Sequence, residues 1–309
     1  ANGIINVGGA GGTSPASGLG VRIALPRIDG DAWRAALAAA PAEGQGSAAA
    51  AVAADSDSLQ LTQVEVKTPQ LQLLGSAYNA LDVALSAQLD GWKIRLRAQE
   101  ADGELLWRSA GDGWLAGNLR YLRVRREGET TPGSAPASVE TKTLPGMQLT
   151  VEDLWLDDKA LGRLQLKARN LRGAWLLESV RLANPDGELT ASGRWTRGAQ
   201  QRTDLDFTLT AKDIGKLLTR LGYEDAVRQG TANLSGNVHW RGALTDLDYA
   251  SLSGDLLVEA RDGQFNQLKP GAGRLLGLIS LQSLPRRLTL DFRDLFSEGF
   301  AFDRISGKL

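Results

Sequence analysis

Apolar and polar residues alternate with period two along most of the chain, the pattern of a strand with one face covered and the other wet. Trp92, Ile94 and Leu96 alternate with Lys93, Arg95 and Arg97, and Leu164, Leu166 and Ala168 alternate with Gln165, Lys167 and Arg169. Leu189 to Trp195, Leu205 to Leu209, Leu234 to Trp240 and Leu252 to Ala260 follow the same rule. Turn signals punctuate these runs at Asp90-Gly91, Asp102-Gly103, Asn184-Pro185-Asp186-Gly187 and Asp262-Gly263, where Gly and Asn tolerate the positive φ of tight turns. The pattern predicts a mainly β chain built as an antiparallel meander.

Few helices are predicted, and they are short. Asp29 to Ala40 reads as one, capped by Asp29 or Asp31. Asp213 caps a second, over about 213–221, with a stripe of Ile214, Leu217, Leu218 and Leu221 that Gly222 ends. A third spans 271–282 and is apolar nearly all round, as a buried core helix is, or as a plug inside an apolar groove would be. Ser, Ala, Gly, Pro and Thr dominate Ala42–Ala54 and Gly128–Thr143, as in linkers. The expected organisation is one β module over 1–130, a linker over 131–143, and a longer and more regular β module over 144–309.

A sheet that is apolar on one face must cover that face, and these helices are too few for about a dozen strands. A large uncovered apolar surface marks a site for a ligand, a membrane or a protein. Composition narrows the choice. With 35 Lys and Arg against 36 Asp and Glu, the chain of 309 residues lacks the basic footprint of a nucleic-acid binder. At 42% hydrophobic and 23% charged residues it is expected to fold. Cysteine is absent, which removes disulfides and thiolate metal sites and leaves the compartment open. No run of about 18–20 apolar residues offers a membrane-spanning helix. Residues Ala1–Gly20 have neither the basic nor the apolar region of a signal peptide. Ser306 to Leu309 follow what reads as a strand, so the chain reads as a fragment of something longer.

Catalytic chemistry is thin. His239, the one histidine, lies on the polar phase of its strand and reads as a solvated surface residue. With one His and no Cys, neither a metal centre nor a cofactor is expected. The acid pairs Glu152-Asp153, Asp157-Asp158 and Asp204 with Asp206 fit turns and a wet face. A carbohydrate-cleaving sheet would need such acids facing one another across a sugar, and a Ser nucleophile would need an elbow motif that is missing. Gly271 to Gly277 resembles a phosphate-cradling loop but matches neither nucleotide fingerprint. A headgroup phosphate at that helix start, beside Arg274, suits it better. Trp92, Trp195 and Trp240 lie on apolar phases, as core or as groove lining.

Several longer stretches carry a resemblance. They are Asp213-Ile214-Gly215-Lys216-Leu217-Leu218, Tyr249-Ala250-Ser251-Leu252-Ser253-Gly254 and Pro270-Gly271-Ala272-Gly273-Arg274-Leu275-Leu276-Gly277-Leu278. Leu284-Pro285-Arg286-Arg287-Leu288-Thr289-Leu290-Asp291-Phe292-Arg293-Asp294 and Ser297-Glu298-Gly299-Phe300-Ala301-Phe302-Asp303 continue it. In these the chain resembles the C-terminal region of the YhdP branch of the AsmA-like family, most closely from about Leu144 onward.

The resemblance implies an elongated, curved sheet of repeating β-groove units with an open apolar trough. It further implies a periplasmic segment of an inner-membrane-anchored protein that guides phospholipid between inner and outer membranes. On that reading the groove-phase residues are Leu166, Leu205, Phe207, Val238 and Leu256, with Leu275 and Leu278 from the third helix, and the headgroup contacts are Arg274, Arg286 and Arg287. Two alternatives stay open: an envelope scaffold that binds client proteins by its strand edges, and a carbohydrate enzyme using Asp204 and Asp206.

Overall fold

The computed structural model describes residues 2–9, 15–32, 60–73, 76–125, 144–198, 201–244, 247–266 and 300–308. The expected linker over 131–143 and the helix over 271–282 lie outside the described residues. So does all but the start of the helix expected from Asp29, where Gly30 to Ala32 are helical and the Ala32 amide donates to Asp29 Oδ1 at 2.8 Å. The chain divides into two compact units, residues 1–157 and 158–309.

The first unit holds β1 (Asn2–Val7), β2 (Gly18–Ala24), β3 (Ile28–Asp29), β4 (Leu61–Leu73), β5 (Ser76–Gln88), β6 (Gly91–Arg97), β7 (Ala101–Arg108), β8 (Trp114–Val124) and β9 (Gly146–Leu156). They lie side by side in the order β1-β2-β4-β5-β6-β7-β8-β9, with the two-residue β3 also on β4. From β4 to β8 every step is antiparallel, as the meander expectation has it. The pairings β1–β2, β2–β4, β3–β4 and β8–β9 are parallel, so the sheet is mixed and the antiparallel expectation is corrected. The reason is connection length. A tight turn can only reverse the chain, whereas the long stretches between Asp29 and Leu61 and between Val124 and Gly146 let the next strand start again from the same end.

The second unit is β10 (Lys159–Leu171), β11 (Ala174–Asn184), β12 (Gly187–Thr196), β13 (Arg202–Ala211), α1 (Ile214–Arg220), β14 (Val227–Arg241), β15 (Ser253–Phe265) and β16 (Phe300–Lys308). Here the sheet follows sequence order and is antiparallel throughout. The β11–β12 turn is held as its sequence predicts, with Asn184 Oδ1 accepting from the Asp186 and Gly187 amides at 3.0 Å each. Two other turn signals were misleading: Asp102-Gly103 and Asp262-Gly263 lie inside β7 and β15. Asp262 does take the left-handed φ of +54°, yet the strand absorbs it and pairing resumes at Gly263.

Cross-strand register aligns the apolar phases into rows running from strand to strand. In the first unit Val64, Leu85, Ile94, Leu105, Gly117 and Leu149 face one another in sequence, and beside them run Val66, Val83, Leu96, Gly103, Leu119 and Val151. In the second unit one row is Leu164, Leu182, Leu189, Leu209, Leu234 and Val258. Residues opposite one another in a ladder, or two apart on a strand, point to the same side. Each unit therefore carries one apolar face.

Candidate functional site

The second unit places Leu166, Leu205, Phe207, Val238 and Leu256 on that face, in two adjacent rows. One runs Leu166, Val180, Ala191, Phe207, Gly236, Leu256, and the other Ala168, Leu177, Gly193, Leu205, Val238, Gly254. All five side chains are half-buried. Strands in these rows are about 4.8 Å apart, so neighbours touch sideways while their outer surfaces stay open to whatever lies above the sheet. Leu275, Leu278, Arg274, Arg286 and Arg287 lie outside the described residues.

Both ends of the strands are closed. At one end Trp175, Trp195, Thr203 and Trp240 sit opposite one another, with exposures of 4%, 1%, 0% and 5%. Trp195 and Trp240 are thus core, whereas Trp92, paired with Trp107 in the first unit, is half-buried. Trp240 Nε1 donates to the Ala243 carbonyl at 3.0 Å. Trp195 Nε1 is buried with no partner among the described residues. At the other end the row becomes Gly187, Ala211, Ala232, Ala260 and Ile305, small enough for α1 to approach. A Cβ on Gly187 would lie 3.3 Å from Leu217 Cδ2, and one on Gly215 would meet the Val227 carbonyl.

Helix α1 is fixed at both of its own ends. Asp213 Oδ1 accepts from the Lys216 amide at 3.0 Å, and this bond holds the Asp213 carboxyl below its ordinary range. Arg220 donates Nε and Nη2 to Asp186 Oδ2 at 2.9 and 2.6 Å, and Nη1 to the Ala160 carbonyl at 3.2 Å. The pin joins the helix to the β11–β12 turn and to β10. Sequence reading missed it, and its only signal is an Asp in a turn that already has an Asn to close it.

The opposite face is wet and charge-balanced. Glu104 bridges Lys93 and Arg95 on β6, and Glu178 bridges Lys167 and Arg169 on β10. These cations lower the carboxyl groups of Glu104 and Glu178 below their ordinary values, the Lys bond contributing most in each. Asp204 pairs with Arg202 at 2.8 Å and Asp206 is exposed. His239 Nε2 lies 2.7 Å from Ser253 Oγ on the exposed side of the ladder. Among the described residues no cluster of His, Asp and Glu could hold a metal ion, and no helix is long and apolar enough to cross a membrane.

What this arrangement can do is hold hydrocarbon. It offers a continuous apolar band across the strands, bounded by a tryptophan row and a pinned helix, with Lys167, Arg169, Glu178, Asp204 and Asp206 on the opposite phase of their strands. The profile of the family described as YhdP protein matches residues 1–309. The Escherichia coli (strain K12) protein named intermembrane phospholipid transporter YhdP is 28% identical over 252 residues, which is 78% of this chain and 20% of that protein. The chain thus spans about a fifth of the relative's length. No solved structure matches it. A full-length profile match, together with a one-faced sheet of this kind, places the chain in the YhdP protein family.

Proposed function

We propose that this chain is a periplasmic segment of a bridge-like lipid transfer protein, and that its apolar face carries the acyl chains of phospholipid between the inner and outer membranes. The observation that carries the reading is the pair of half-buried rows holding Leu166, Phe207, Leu256, Leu205 and Val238 side by side. The name of the relative, an intermembrane phospholipid transporter, supplies the cargo class and the envelope setting. On this reading the inner and outer membranes are reached through parts of the protein outside or adjoining this chain, and envelope proteins are further partners.

The mechanism is passive guidance without catalysis or cofactor. Each methylene taken out of water is worth about 0.8 kcal/mol, so an acyl chain lying on the band avoids most of the cost of crossing an aqueous gap. The charged headgroup stays in solvent beyond the band's open side. A face built from many similar contacts gives no single deep well, so cargo slides.

Native mass spectrometry of the purified chain, with lipid extraction, tests the reading against Phe207→Asp. Phospholipid that co-purifies with the parent chain and vanishes from the folded variant supports the conduit. A lipid-free parent chain under gentle conditions overturns it and favours a scaffold that binds client strands by its edges. Retention of lipid by folded Phe207→Asp removes this face from the assignment.

A further inference from the structure

Four glycines on the apolar faces share an arrangement that the conduit reading does not explain. Gly103, Gly117, Gly193 and Gly236 sit directly opposite Leu119, Leu105, Leu205 and Leu256. In each pair a leucine methyl occupies the space a glycine side chain would take. A Cβ built on the glycine would lie 2.9 Å from Leu119 Cδ2, 2.7 Å from Leu105 Cδ2, 3.2 Å from Leu205 Cδ1 and 2.8 Å from Leu256 Cδ2. The backbone is close as well, because the same Cβ would collide with the carbonyls of Asn118, Glu104, Asp204 and Asp255. Each glycine admits no side chain of its own, and each leucine is laid across it instead of standing up from the sheet.

This changes the relief of the face. In the second unit the row from Leu164 to Val258 is made of Leu and Val throughout and forms a ridge. The two rows between it and the tryptophans set Ala168, Ala191, Gly193, Gly236 and Gly254 among larger residues, Val180 and Phe207 included, and are the floor on this reading. An upright leucine beside a bare glycine would put a step and a pit into that floor. A leucine folded over the glycine lowers the first and fills the second. The same pairing in both units makes levelling a repeated feature of the fold.

We infer that Leu205 and Leu256, laid over Gly193 and Gly236, are specificity-determining residues that level the floor and so select straight, unbranched hydrocarbon chains. This rests on the conduit reading and deepens it. A straight chain touches a level floor along its whole length. A methyl branch lifts the chain and forfeits contacts on either side, because no pit receives it. Truncating the two leucines to alanine opens pits above Gly193 and Gly236 while leaving the face apolar.

The test is competition between two phosphatidylethanolamines of equal carbon number, one straight-chained and one methyl-branched, offered in equal amounts to the lipid-stripped chain and read by native mass spectrometry. The parent chain is expected to prefer the straight lipid by roughly threefold to tenfold, below or at the low end of what one methyl group is worth in an enclosed site. Leu205→Ala/Leu256→Ala is expected to bring the preference to about one while still taking up lipid. Leu205→Met/Leu256→Met, which refills the pits, should restore it. Thr208→Ala, on the wet face opposite Ser235, should leave it unchanged. A parent chain that binds both lipids equally overturns the inference and leaves the conduit standing, as does an undiminished preference in the double alanine variant. Equal loss in Thr208→Ala also overturns it, since any truncation would then suffice. Failure of the parent chain to bind either lipid refutes the conduit itself. If the double alanine variant does not fold, Leu205→Met and Leu256→Ala taken singly decide the question: preference kept in the first and reduced in the second upholds the inference, and any other pattern overturns it.

Discussion

The pin between Arg220 and Asp186 can be broken from either side, and the two breaks should differ in cost. Asp186 has 11% of its side chain exposed and Arg220 27%. Arg220→Met keeps the apolar stem of the side chain but leaves the Asp186 carboxylate buried with both charge-assisted bonds gone. Orphaning one member of a fully buried pair costs about 3–5 kcal/mol. Since the Arg220 side chain is 27% exposed, about 2–3 kcal/mol is the fitting figure for this site. Asp186→Asn leaves a cation that can turn to solvent and should cost only about 1 kcal/mol. The double variant should cost less than the two singles combined, because no charge is then left behind. Hydrogen exchange of the α1 amides reads the effect locally: the Leu221 amide, bonded to the Leu217 carbonyl at 3.1 Å, should open more often by about thirtyfold or more in Arg220→Met. A change of less than about threefold there, or a larger effect in Asp186→Asn, would refute the reasoning, since it rests on the carboxylate being the more deeply buried partner.

Two further outcomes follow from contacts elsewhere. Arg22 Nε donates to Glu65 Oε2 at 2.7 Å and holds that carboxyl below its ordinary 4.5. The folded carboxyl being the stronger acid, the pair contributes fully above pH 4.5 and is lost as pH falls through the lowered value. Acid titration of unfolding should therefore show a shallower slope below pH 4.5 in Glu65→Gln than in the parent chain. Trp195→Phe removes a buried indole N–H with no partner among the described residues, a gain that offsets the lost ring volume, so urea unfolding should change by less than about 1 kcal/mol. Trp240→Phe, which deletes the bond to Ala243, should cost about 1–2 kcal/mol more than that.

How far the sequence revealed this structure depends on what each feature requires. Period two is a property of one strand, so the common face of Leu166, Leu205, Phe207, Val238 and Leu256 could be read without knowing their neighbours. The tryptophans could not be sorted into core and lining that way. Trp195 is buried because Trp175 and Thr203 flank it in register, and Trp92 is less so. Register shifts such as that between Leu177 and Val180 are a further product of pairing. Asp262-Gly263 is the most instructive case. Asp262 takes a left-handed φ, yet the register of β15 against both neighbours is the same on either side of it; whether such a kink reverses the chain depends on whether the neighbouring strand continues alongside. Parallel pairing of β8 with β9 depends on where a long connection returns the chain, which local chemistry does not specify.

A sheet with one face left open also has to find its register without a packed layer to enforce it. A one-residue slip would turn every side chain to the opposite face, and in most folds the buried core forbids that. Here the wet face takes over part of the task. Glu104 between Lys93 and Arg95, and Glu178 between Lys167 and Arg169, tie adjacent strands at fixed offsets in both units. Exposed pairs of this kind contribute little stability, about 0–1 kcal/mol each. Their placement matters more than their strength, because a slip would both break them and drive lysine and arginine onto the apolar rows, at the desolvation cost of burying a charge. Together with the Asn184 turn and the Leu-on-Gly pairs, these in-plane contacts specify the register of the strands. Because that register is fixed from within the plane of the sheet, it needs no packed layer on the apolar side to enforce it.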